Sequence, residues 1–151
     1  MSDYAEAYFE ILDSGNSLRI EAVENIRYDS AIDWDKNWVK AKVSVTSGAF
    51  SGNYFAEFMS IDFKEFRKQL NYLYDNLDAS TLFNDLEGYL DLQIKGDGIG
   101  HFELNGIACD SPGHGSKLHF DLHFDQTYLQ DFIKMLDIII QQFPVIGNFK
   151  A

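Results

Sequence analysis

All four histidines of this 151-residue sequence lie between residues 101 and 123, and the run His119-x-Asp121-x-His123 has the spacing that puts side chains on one face of a strand. Alternate residues on such a face are about 7 Å apart, within reach of a single metal ion, whereas His119 and His123 are about 13 Å apart and do not easily share one. The set that can close around an ion is therefore His101, His119 and Asp121, provided that His101 lies on the neighbouring strand. Against it stands the plainer reading, in which these are the polar residues of a wet sheet face. His114 sits in the glycine-rich run DSPGHGS, where loop flexibility accounts for it equally well.

Other chemistry has less support. The lone Cys109 follows an apolar run and precedes Asp110, with no basic neighbour in sequence to favour a thiolate, so it reads as inert packing. The sequence has no G-x-S-x-G elbow and no phosphate-binding loop. Gly96-Asp97-Gly98-Ile99-Gly100 looks like a dinucleotide fingerprint, but it joins two strands instead of opening a helix. Asp33 and Asp35 beside Trp34 can bind a cation or a sugar, or simply form a solvated acidic loop.

A larger constellation pairs carboxylates with tyrosines. If the strands pair as their order suggests, Glu6, Glu10, Glu87, Asp91, Glu103 and Asp121 share the sheet face opposite the helices, interleaved with Tyr4, Tyr8 and Tyr89. Rings supply area to bury against a partner, and the charges steer a basic one. The alternative is the solvated side of an antiparallel sheet.

These residues need elements to hold them. Leu118, Phe120, Leu122 and Phe124 alternate with polar residues, the period of a half-buried strand. From Asp125 the period changes, and Leu129, Phe132, Ile133, Leu136 and Ile140 recur at helical steps until Pro144 stops the run. Earlier strands are predicted over Tyr4–Leu12, Ser17–Tyr28 (with a bulge near Val23), Trp38–Val45 and Phe50–Ile61. The last is apolar on both faces and so is expected to be central or covered.

A first helix is predicted after Asp62, with Asp62 as N-cap, Glu65 completing a capping box and Phe63, Phe66, Leu70, Leu73 and Leu77 as its buried stripe. Residues 78–85 read as a loop. A strand over Glu87–Lys95 then turns at Gly96-Asp97-Gly98 into the next, where Asn105-Gly106 marks a bulge or a second turn. Asp125 is expected to cap the final helix. The fold class is α+β: a mainly antiparallel sheet of about seven strands with two helices packed on one face, in the order ββββ-α-βββ-α, forming a single domain over residues 1–151.

Composition bounds the function. A chain of this length buries roughly 70% of its unfolded surface, enough for a core without staples. A single cysteine fits a reducing compartment, and neither a signal peptide nor a membrane-spanning run is legible, so a soluble cytoplasmic protein is expected. The net charge is −12, with nine acids to two bases in residues 1–35, three to six in 36–68 and twelve to four in 69–151. Such a balance disfavours nucleic acid and anionic membranes and suits a basic partner, though acidity also serves solubility.

From about Trp34 to Gly147 the chain resembles the WapI family of bacterial immunity proteins. The resemblance rests on the start DWDKNWVKAKVSV, the turn SGAFSGNY, the helix FKEFRKQLNYLYDNL, the strand region EGYLDLQIKGDGIGHFEL and the ending LHFDLHFDQTYLQDFIKMLDIIIQQFP. It implies a bacterial protein of the toxin–antitoxin type, not an enzyme and without cofactors. Such a protein binds and neutralises the toxic C-terminal domain of a secreted polymorphic toxin. A basic toxin domain such as a nuclease would complement the acidic face. The competing expectation is a small metal-dependent enzyme or ligand-binding domain built on His101, His119 and Asp121.

Overall fold

The computed structural model describes residues 6–27 and 29–147. Its elements run β1 (Ala7–Asp13), β2 (Asn16–Asn25), β3 (Trp38–Ser47), β4 (Phe50–Met59), α1 (Ser60–Asp75), β5 (Ser80–Asn84), β6 (Leu90–Gly96), β7 (His101–Cys109), β8 (Lys117–Asp125) and α2 (Leu129–Gln142). The class is α+β, as the periodicities require.

Two features differ from expectation. The strands form two four-stranded antiparallel sheets, β1-β2-β3-β4 and β5-β6-β7-β8, where one sheet was predicted. Residues 80–84, predicted as loop, form the eighth strand, so the order is ββββ-α repeated. The cause of the second is local: in Ser80–Asn84 only Phe83 is buried, which leaves no alternation to read. The cause of the first is that α1 carries the chain away from edge strand β4 before β5 begins, so the fifth strand starts a new sheet.

Elsewhere the local patterns hold. Ala7, Phe9 and Ile11 face inward on β1, the register of β2 on β3 shifts between Ala22 and Glu24, and Phe120, Leu122 and Phe124 are buried on β8. β4 is an edge strand, not a central one, and its outward Phe55 is 55% exposed. The Lys40 ammonium stands 4.4 Å from the Phe55 ring, which gives that ring a cation–π partner on the solvent side.

The helix starts also differ in detail. β4 runs directly into α1, whose N-cap is Met59, and Asp62 lies in the first turn with its carboxylate accepting the Met59 N–H at 2.9 Å. It therefore does the reciprocal half of a capping box from inside the helix. Asp125 accepts the Thr127 N–H at 3.0 Å and so caps the short 3-10 turn Gln126–Tyr128 that leads into α2.

The inner faces of both sheets and the stripes of both helices make one core. Phe9 of β1 meets Phe66 of α1 and Phe132 of α2 at ring distances of 5.0 and 5.5 Å. The helices pack against each other antiparallel, with Arg67 Nε 2.6 Å from the Asp137 carboxylate and Gln130 bonded to the Tyr74 hydroxyl at 3.2 Å. Among the described residues no helix is long and apolar enough to cross a membrane.

Candidate recognition surface

Period-two geometry sends Tyr8 and Glu10 outward from β1, and Asp91, Glu103 and Asp121 outward from β6, β7 and β8. Because there are two sheets, these residues occupy two separate outer faces and not one. Tyr4 lies outside the described residues. Glu87 is in the loop before β6, and Tyr89 is half-buried against Tyr54 and Phe58, so neither belongs to an open sheet face. That loop is built by Asp85, whose buried carboxylate accepts the N–H groups of Gly88, Tyr89 and Leu90 at 3.1, 3.1 and 2.9 Å. Burial, and then the carboxylates of Glu57 and Glu87, push the Tyr89 phenol up.

The outer face of the first sheet sets its own cations among its carboxylates. Arg19 reaches Glu6, Glu21 and Glu10 at 3.1, 3.5 and 3.6 Å, and its guanidinium stands 4.0 Å from the centre of the Tyr8 ring. Lys42 lies opposite Glu21, and Lys40 opposite both Glu24 and Glu57.

On the second sheet, Asn105 donates to Glu103 at 3.1 Å and to Asp121 at 2.6 Å, holding two carboxylates side by side. His123 Nε2 lies 3.5 Å from Glu103 and its Nδ1 3.4 Å from Asp13. Lys95 lies opposite Glu103 on this face, so it too carries cations among its carboxylates.

The metal set does not assemble. His101 pairs opposite Asp125, whereas His119 pairs opposite Ile107, which places His101 six residues along the ladder from His119, about 20 Å away. His101 instead contacts Asp97 at 3.0 Å. Among the described residues no group of three or more His, Cys, Asp or Glu is placed to hold a metal ion.

Gly96-Asp97-Gly98-Ile99-Gly100 is a hairpin turn, in which the Asp97 carboxylate accepts the N–H groups of Ile99 and His101 at 2.9 and 3.1 Å. Those bonds, that of Ile99 foremost, hold the Asp97 carboxyl below the usual range. Cys109 is buried, and Asp33 pairs with Lys36 at 3.2 Å.

Sequence reasoning missed a cleft of about 730 Å³ where β1, the ends of the β7–β8 hairpin and α2 meet. Tyr8, Glu10 and His123 line it, joined by Asp13, Asp125, Tyr128 and Asp131 over a floor that includes Phe124 and Phe132. In sequence, Asp13 reads as a turn residue and Asp125 as a cap, and nothing in local spacing links either to Asp131.

The comparisons with known proteins follow this geometry. No curated protein matches the chain. Among solved structures, Trypanosoma bruciei MRP1/MRP2 aligns at 8% identity with a TM-score of 0.52, covering 91% of this chain and 86% of that one, a likeness of fold alone. The plant transcriptional regulator PBF-2 aligns at 11% identity with a TM-score of 0.46, covering 94% and 84%. The model of the immunity protein WapI-like family matches residues 10–144, nearly the whole length described above. The chain belongs to the WapI-like immunity protein family.

Proposed function

We propose that this chain is an immunity protein that binds the toxic C-terminal domain of a secreted polymorphic toxin in the cytoplasm and neutralises it by occupying its working surface. The family match over residues 10–144 carries the reading. The carboxylates of Glu103 and Asp121, bridged by the Asn105 amide, together with a net charge of −12, support a basic partner, for which a nuclease with a cationic substrate groove is the natural candidate. The same charge disfavours phosphate backbones and anionic membranes as partners. Action is by binding and not by turnover, through an interface on the order of 1,600 Å².

Co-expression with the toxin domain encoded beside this chain tests the proposal. Growth of the cells and co-purification of a complex are expected. Cell death with no complex would sink it. The metal-enzyme alternative has no specific observation in its favour, since its three residues are spread along the β7–β8 ladder.

A further inference from the structure

We propose that the cleft between β1 and α2 is the point of insertion for an arginine- or lysine-bearing segment of the partner, which rests on the immunity reading and assigns it a specific surface. The lining holds four carboxylates, Glu10, Asp13, Asp125 and Asp131, and two histidines, His101 and His123, with no lysine or arginine, although Arg19 pairs with Glu10 from the sheet side. The space is an open cleft of about 730 Å³, large enough to admit a side chain of a partner.

The walls and floor are aromatic. Tyr128 stacks on Phe132 with ring centres 6.3 Å apart and planes 21° apart, and 53% of Tyr128 remains exposed at the mouth. A guanidinium suits such a place because its planar face stacks on rings while its edge binds carboxylates.

The molecule shows this chemistry once already. Arg19 lies over the Tyr8 ring with a Glu10 oxygen 3.6 Å away, so two residues of the cleft wall hold a guanidinium on the sheet side. On the opposite wall Asp131 makes no ion pair among the described residues. The Asp125 carboxylate is held ionised by Thr127, whose hydroxyl and N–H both donate to it. Charge complementarity therefore commits the occupant to a basic protein segment.

Titration of the full chain with a tri-arginine peptide, followed by amide NMR with tri-glutamate as control, tests the site without the toxin. Saturable shifts confined to the cleft are expected. Asp131→Lys or Tyr128→Ala, both at exposed positions, should weaken the peptide about tenfold, while Asp29→Lys in the loop before β3 leaves it unchanged. Shifts spread evenly over both sheets, or equal weakening by Asp131→Lys and Asp29→Lys, would overturn the proposal.

In co-expression, Asp131→Lys should lose protection while Asp29→Lys keeps it. Full protection by folded Asp131→Lys would remove the cleft and leave the immunity reading standing. Failure of the unaltered chain to protect would remove both.

Discussion

The Asp13 carboxylate accepts the backbone N–H of His123 at 2.8 Å, tying the end of β1 to the last strand of the other sheet. The two strands belong to different ladders, so this bond stands where no backbone pairing does. Asp13→Ala leaves the amide without its partner and is expected to lower stability by about 1–2 kcal/mol in chemical denaturation. Asp13→Asn, which keeps an acceptor oxygen, should recover most of the loss.

Asp62 carries a pH signature. Burial, partly offset by the Met59 N–H, raises its carboxyl from 3.8 to about 6. The folded state thus holds its proton to higher pH than the unfolded chain. The stability this supplies is complete below about pH 4 and is lost as pH rises through 6. Asp62→Asn keeps an acceptor for Met59 and carries no charge, so at pH 7 it is expected to stabilise by on the order of 1–2 kcal/mol and to flatten the melting profile between pH 4 and 6. A lower melting temperature at pH 7 would show that the ionised carboxylate is favoured instead.

Asn105-Gly106 is neither the turn nor the bulge that its composition suggests, because β7 stays in register with β6 and β8 through both residues. The glycine is there for the ring of Phe120, which a Cβ at residue 106 would meet at 2.3 Å. Gly106→Ala should therefore cost about 1–3 kcal/mol, read as a lower denaturation midpoint with unchanged slope. Pairing it with Phe120→Leu should return part of the loss.

Legibility followed the range of the interactions. Strand β8 and helix α2 could be read because their burial patterns repeat every two residues and every three or four. Strand β5 could not, because Phe83 alone is buried in it. Alternation was enough to turn Glu10, Asp91, Glu103 and Asp121 outward, yet the allocation of strands to two sheets depends on where α1 delivers the chain, which no period encodes. The cleft lay further out of reach. Its walls come from Asp13 on one side and Asp125 and Asp131 on the other, more than one hundred positions further along the chain, and they meet only through the packing of β1 on α2.

Asn37 is buried and answers three backbone groups: its amide donates to the carbonyls of Asp33 and Ile146 at 2.8 and 2.9 Å, and its oxygen accepts the Ile146 N–H at 2.7 Å. Replacing it with alanine orphans all three, and a loss of about 2–4 kcal/mol is expected in thermal or chemical unfolding. Hydrogen exchange should report early opening of residues 143–147 in that variant.

Arg19 pairs with Glu6, Glu10 and Glu21 at once, and Arg19→Met is expected to destabilise by about 0.5–1 kcal/mol at low salt and by less at high salt, since the pairs are partly exposed and screened. Equal losses at both ionic strengths would assign the effect to stacking on Tyr8 instead.

The packing of Phe9 on Phe132 also sets a schedule. These residues are 123 positions apart, so a ribosome adding about 5–20 residues per second makes the first strand wait roughly 6–25 seconds for the helix that covers it. The core cannot close until α2 has been translated. The cleft that β1 and α2 line together therefore exists only once the turn of helix that carries Phe132 has been made.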